Sequence, residues 1–169
     1  MSQSVPPSGN PFAEGAPQPP YPAAPAPAPA PASAPARNNL GLGLVAALVA
    51  ALVAGGVYGG IAGAIDRQIG WAAIGVGFLV GFASGKVGGS NPVLPVASAA
   101  LSLGAVYVGQ LLAIAIIIGK ELNVSATDVL FENFDVVTKV WGESKDLMTF
   151  LFFALAAFAA FSGAKKSAE

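Results

Sequence analysis

Charged residues divide the sequence into long apolar runs. Four runs contain 28, 18, 33 and 18 uncharged residues, and they lie between Arg37 and Asp66, Arg67 and Lys86, Lys86 and Lys120, and Asp146 and Lys165. A helix of about 20 residues crosses the ~30 Å hydrocarbon core of a bilayer. The pattern therefore predicts four transmembrane helices, at about residues 40–65, 69–87, 94–119 and 147–164.

The lengths of the connections constrain how these spans are arranged. The third run is too short for two helices and a turn, and residues 88–92 (GGSNP) interrupt it near its start. Asn91 or Ser90 is expected to cap the third helix, with Pro92 and Pro95 in its approach and first turn. The first two spans are joined by little more than Asp66, Arg67 and Gln68, so we expect them to be antiparallel neighbours.

Small residues recur at every fourth position in the first two spans. Helices in lipid associate through close van der Waals contact, which small residues at i and i+4 permit. We therefore predict helix-packing surfaces that either join the first two spans or bind a second copy of the chain. These surfaces consist of Ala47, Ala51, Gly55, Gly59 and Gly63 in the first span, and Ala73, Gly77, Gly81 and Gly85 in the second.

The third span contains the most polar residue inside the predicted membrane segments. Gln110 carries an amide that must find a hydrogen-bond partner in lipid, and Ser98 and Ser102 lie four residues apart on the same helix. These residues are predicted to make interhelical polar contacts. The alternative is that Gln110 binds a substrate.

Residues 120–146 form a polar segment between the last two spans. Within it Leu130, Phe134, Val137 and Trp141 recur at helical spacing, which predicts an amphipathic helix at about residues 126–141. Beside a bilayer such a helix is expected to lie in the interface, with Trp141 as its anchor at headgroup level. The alternative is that its polar face is a gate or a partner surface.

Residues 1–37 differ in composition from the rest of the chain. They contain twelve of the fourteen prolines, including an alternating Pro-Ala run from Pro25 to Pro31. Proline fixes φ and has no N–H group, so neither helix nor sheet propagates there. We predict a disordered Pro/Ala-rich tail that acts as a spacer, with a docking peptide as the alternative. Residues 38–166 then form the membrane domain.

The composition of the chain excludes several kinds of catalytic and metal-binding site. The chain is 54% hydrophobic and 10% charged, and its net charge is −1; its mean hydropathy is +0.68. It has no cysteine or histidine, so thiolate and imidazole catalysis and the common zinc and haem ligands are excluded. Gly75, Gly77 and Gly81 depart from the dinucleotide fingerprint in their last interval, and no strand precedes them. We predict no catalytic site, no metal, no cofactor and no nucleic-acid partner.

Four spans place both termini on one side of the membrane. That side and the other carry four basic residues each, so the positive-inside rule does not choose between them. We expect both termini to be cytoplasmic, because a long tail without a recognisable export signal is easier to retain than to translocate.

One stretch resembles a known family. Residues 69–85, IGWAAIGVGFLVGFASG, are similar to the second span of a family of small bacterial multi-pass membrane proteins of uncharacterised role, which share the pattern IG-aromatic-x-AIG-x-G-x-L-x-G. The closing span, LFFALAAFAAF at residues 151–161, is similar to theirs as well. The resemblance implies a bacterial membrane protein and brings no catalytic residues. Some relatives begin with a zinc ribbon, which the cysteine-free tail here cannot form.

These observations favour an all-α integral membrane protein that is not an enzyme. The expected function is that of a structural or partner-docking membrane module, which packs or oligomerises through its small-residue faces. Its expected partners are the lipid bilayer and either a second copy or another protein. The alternative is a small transporter or channel subunit, although the predicted spans have no acidic or basic side chain between their flanking charges.

Overall fold

The structure is a computed structural model that describes residues 38–169. The predicted tail and its proposed disorder lie outside these residues. The described part of the chain is helical, which confirms the all-α part of the predicted class. Its helices are α1 (Leu40–Ala64), α2 (Ala72–Gly88), α3 (Val93–Leu122), α4 (Ala126–Glu132), α5 (Phe134–Ser144) and α6 (Leu147–Ser167). Three of them, α1, α3 and α6, are long and apolar enough to cross a membrane, whereas α2 is apolar but has 17 residues.

The tightest helix contacts join parallel helices that are not consecutive in the sequence. A Cβ atom on Gly55 would lie 2.7 Å from the carbonyl oxygen of Ala105, and Gly59 meets the backbone of Gly109 in the same way. Residue numbers rise together on the two sides of this contact, so α1 and α3 run in the same direction.

Helices α2 and α6 form a second parallel pair. Gly77 contacts the backbone carbonyl of Ala156, and this contact is repeated one and two turns further along at Gly81 with Ala160 and Gly85 with Ala164. The small-residue faces of α1 and α2 are thus directed at α3 and α6, and not at each other as the short connection suggested.

Helices α1 and α2 are in backbone contact where α1 begins and α2 ends. A Cβ atom on Gly43 would lie 2.9 Å from the Cα atom of Gly88, and the N–H of Asn39 donates to the carbonyl of Gly88 over 2.9 Å. At the other end, α1 stops before Asp66, whose positive φ of 54° turns the chain. Seven residues, 65–71, then lead to Ala72, three residues later than the predicted start of the second span.

The amphipathic segment forms two helices where the sequence predicted one over 126–141. Asn133 separates α4 from α5, and the Ser125 side chain caps α4 by accepting from the N–H of Thr127. A continuous helix would place Val129 and Val137 about 80° apart around its axis. In the structure both side chains are fully buried, and they pack in one cluster with Leu111, Ile114 and Ala115 of α3.

Candidate functional site

A cluster of polar side chains lies near Gln110 of α3, where α2 and α6 begin. The side chain of Gln110 is 5% exposed, and its amide oxygen accepts a hydrogen bond from the indole N–H of Trp141 over 2.7 Å. The Trp141 ring also meets Tyr107 edge to face, with 4.9 Å between ring centroids. Trp141 therefore joins α5 to α3 through one polar and one aromatic contact.

The ammonium group of Lys145 lies on the outer side of this cluster. The ammonium nitrogen of Lys145 lies 5.1 Å from the centroid of the Trp141 ring. Such a contact attracts the cation to the ring face. The indole is consequently held on three sides, by an amide, a phenol ring and an ammonium group.

Tyr58 of α1 completes the inner side of the cluster. It is 4% exposed and packs over the backbone of Gly109, where only a glycine leaves room for the ring. Its hydroxyl is buried and makes no hydrogen bond of good geometry with any described residue. A buried hydroxyl without a hydrogen-bond partner costs free energy of folding. The Tyr58 hydroxyl is therefore the least satisfied polar group of the cluster.

Gln110 also lines a small polar pocket of about 200 Å³. The pocket opens between the connection into α2, the end of α5 and the start of α6. Its walls are Gln68, Gly70, Gln110, Ser144, Asp146, Met148, Thr149 and Phe152.

Asp146 is fixed by its role as the N-cap of α6. One carboxylate oxygen accepts from the backbone N–H of Thr149 over 2.8 Å and from the Thr149 hydroxyl over 2.9 Å. These hydrogen bonds, the backbone one first, lower the pKa of Asp146 below its ordinary value, because they favour the ionised form. The carboxylate therefore serves the local helix start and is not poised as an acid or base.

At the charged end of α1, Lys120 acts as a helix cap supplied by another helix. Its ammonium donates to the carbonyl oxygens of Gly63 and Ala64 over 2.8 and 2.9 Å, and it pairs with Asp66 over 3.0 Å. Terminal carbonyls of a helix have no partner inside the helix, and a cation there opposes the negative end of the helix dipole. The sequence analysis treated Lys120 only as a boundary.

The predicted polar contacts separate into two groups. Gln110 and Trp141, predicted independently as an interhelical contact and as an interface anchor, are bonded to each other. Ser102 donates instead to the carbonyl of Ala99 in its own helix, over 2.8 Å. Ser98 is buried with no hydrogen-bond partner among residues 38–169, as is Ser84 of α2, which the sequence analysis did not single out.

The predicted packing residues are all buried. They are Ala47, Ala51, Gly55, Gly59 and Gly63 of α1, and Ala73, Gly77, Gly81 and Gly85 of α2. The sequence analysis missed the matching surface of α6, formed by Ala156, Ala160 and Ala164, although these alanines also recur at every fourth position.

Within residues 38–169, no group of three or more histidine, cysteine, aspartate or glutamate side chains is placed to hold a metal ion. No protein-family model, curated protein or solved structure matches the chain. The resemblance of residues 69–85 to small bacterial membrane proteins stays a prediction.

Proposed function

We propose that the chain is a four-span membrane protein in which α2 crosses the bilayer together with α1, α3 and α6. The 17 residues of α2 rise about 25 Å, which is close to the ~30 Å core. Trp71 precedes the helix and is 72% exposed, and Lys86 lies in its last turn. An aromatic residue at one end and a cation at the other are typical of residues at the two membrane surfaces.

In this arrangement both termini lie on one side, which we propose is the cytoplasmic side of a bacterial cell membrane. The connection 65–71 and the segment containing α4 and α5 then lie on the opposite side. The bilayer is the protein's first partner, because apolar side chains such as Leu52, Val53 and Phe158 are more than 60% exposed on the helices.

We propose that the protein serves as a structural, partner-docking membrane module. The observation that supports this function is that α4 and α5 bury side chains on one side and expose aromatic side chains on the other. On the inner side Val129 and Val137 are fully buried against α3, and Trp141 is bonded to Gln110. On the outer side Phe131 and Phe134 are 79% and 49% exposed. Exposed aromatic rings on helices that are anchored to the bundle are suited to binding a partner's surface.

The interior of the bundle favours this function over transport. The small-residue faces bring α1 against α3 and α2 against α6 at backbone contact, and the charged residues lie at the helix ends or on α4 and α5. Ion and proton carriers usually place ionisable groups along their path. We therefore expect no ion or small-solute flux when the purified chain is placed in liposomes.

Photo-crosslinking in native membranes tests the docking function. A photoreactive residue at position 131 or 134 is expected to give one discrete protein adduct, and the same residue at Phe158, which is 68% exposed on α6, is the matched control. The adduct at position 134 should disappear when Phe131 is replaced by serine. Lipid adducts alone at all three positions, or flux abolished by Gln110→Leu, would contradict the proposal.

A further inference from the structure

Helix α4 has one side against the bundle and one side directed away from it. Val129 is fully buried and packs in the cluster with α3, whereas Phe131, two residues later, is 79% exposed. In an α-helix these two positions lie about 160° apart around the axis. The side of α4 that carries Phe131 is therefore its outer face.

Two acidic residues share the outer face of α4 with the aromatic ring. Asp128 lies three residues before Phe131, a spacing that makes side chains neighbours on a helix surface, and Glu132 lies four residues after Asp128. The three positions fall within about 100° of the helix circumference. Both acidic residues are exposed, and among residues 38–169 neither carboxylate has a cation within ion-pair distance. The ring therefore lies beside two carboxylates that have no ion-pair partner in this part of the chain.

The whole amphipathic segment carries an excess of negative charge. Over α4 and α5 the acidic residues are Asp128, Glu132, Asp135 and Glu143, and the basic residue is Lys139. Helices that lie on a membrane surface through an apolar face typically carry lysine and arginine on their polar face, which attract anionic headgroups. The charge of this segment is opposite to that pattern.

The positions of the carboxylates favour a protein over the bilayer as the occupant of this face. Asp128 is about 60° from Phe131 around α4, so inserting the ring into lipid would also bring a carboxylate toward the apolar region. Removing a charge from water without a partner is costly. A protein surface that supplies a cation to the carboxylates avoids this cost, so charge complementarity favours a basic segment of a protein partner.

We propose that the outer face of α4 binds an arginine-bearing segment of a protein partner. A guanidinium group pairs with a carboxylate through two N–H groups and also stacks on the face of an aromatic ring. Phe131 supplies the ring, and Asp128 and Glu132 supply the carboxylates beside it. This assignment rests on the proposed docking function and adds the chemistry of the partner.

Peptide binding to the full-length chain in nanodiscs of dioleoyl phosphatidylcholine tests this chemistry. The probes are a fluorescent peptide of alternating arginine and serine and a matched peptide with glutamate at the arginine positions. Fluorescence anisotropy measures the dissociation constant of each, and nanodiscs without the protein give the contribution of the lipid. The arginine peptide is expected to bind to the protein, and the glutamate peptide is not.

Two double variants locate the binding surface. Asp128→Asn with Glu132→Gln should weaken binding of the arginine peptide about tenfold, because both carboxylates that pair with it are lost. Asp135→Asn with Glu143→Gln removes the same number of charges from exposed positions of α5 and is the matched control. It should change the dissociation constant by less than about twofold.

Phe131→Leu tests the ring separately, because it keeps an apolar side chain and removes the aromatic face. It should weaken binding of the arginine peptide about threefold. All the substituted residues are exposed, so the variants should unfold at the temperature of the parent chain. Equal binding of the two peptides, or equal effects of the two double variants, would overturn the proposal.

Photo-crosslinking in native membranes separates this proposal from the docking function. With the photoreactive residue at position 134, Asp128→Asn with Glu132→Gln should diminish the protein adduct. A discrete protein adduct that this double variant does not diminish would leave the docking function standing and overturn the arginine-bearing partner. Adducts to lipid alone would overturn the docking function itself.

Discussion

The indole N–H of Trp141 donates a hydrogen bond over 2.7 Å to the buried amide oxygen of Gln110, and this bond connects α5 to the middle of α3. Both residues were identified from the sequence for separate reasons. Their pairing means that the amphipathic segment is fixed to the bundle and does not lie on the bilayer through its apolar face alone. The exposed Phe134 is thereby carried by a helix that is anchored to α3.

Removing the Gln110 amide should loosen α5. Gln110→Leu leaves the Trp141 N–H without its acceptor, so we expect a loss of about 1 kcal/mol in the free energy of unfolding. Thermal unfolding in detergent measures the loss, and Trp141 fluorescence in a Trp71→Phe background reports the altered environment of the indole.

Ser102→Ala is the control for that experiment, since Ser102 bonds only within its own helix and should leave both signals nearly unchanged. Identical unfolding curves for Gln110→Leu and the parent chain would show that the bond does not hold α5.

Leucine at the buried glycines should disrupt helix packing. At Gly59 and Gly77 a side chain would collide with the backbone of Gly109 and Ala156, and backbone cannot move aside cheaply. We expect each substitution to destabilise the bundle by about 3 kcal/mol. Thermal unfolding and size-exclusion chromatography in detergent measure the effect.

Gly60→Leu provides the matched control, because a Cβ atom at this position of α1 meets nothing within 4 Å. If Gly59→Leu and Gly60→Leu unfold at the same temperature, the contact between α1 and α3 is not as close as the structure places it.

Much of the helical architecture could be predicted from hydropathy, since lipid-facing runs must satisfy their backbone groups as helices. The period of four residues also identified which faces of α1 and α2 are small. It could not identify their partners, because a face of Gly55 and Gly59 fits any other small face equally well. Which helix packs against a given small-residue face depends on how all the helices of the bundle pack together.

The missing parts of the site have a similar cause. The cap that Lys120 provides for α1 joins residues more than 50 positions apart, and a single sequence gives no signal for such a pair. The break at Asn133, which separates α4 from α5, is a second example. Helical periodicity over 126–141 was compatible with one helix or two.

Replacing Lys120 should weaken the contact between the ends of α1 and α3. Lys120→Met keeps the length of the side chain but removes the donors to Gly63 and Ala64, so we expect a loss of about 1 kcal/mol in the free energy of unfolding. Hydrogen exchange of the amides in the last turn of α1 should become faster. Lys139→Met serves as the control, and equal exchange in the two variants would contradict the capping role.

The start of α6 should depend on acidic pH. The pKa of Asp146 is lowered in the folded chain, so its carboxylate stabilises the fold above the ordinary value of 3.8, and this contribution is lost as the pH falls through the lower folded value. The Thr149 amide at the start of α6, which donates to Asp146, is therefore expected to lose protection below the ordinary value, measured as its exchange rate relative to the intrinsic rate at the same pH. Asp146→Asn should remove this acid-dependent step, whereas Asp135→Asn should preserve it. A step that persists in Asp146→Asn would have another origin.

The orientation of the two ends of α2 tests the four-span proposal most directly. The chain contains no cysteine, so single cysteines at Gln68 and Ser90 can be labelled in sealed membrane vesicles with a maleimide that does not cross the bilayer. The account predicts that one position is labelled from outside and the other only after the vesicles are opened. Labelling of both positions from the same side would show that α2 does not cross the membrane.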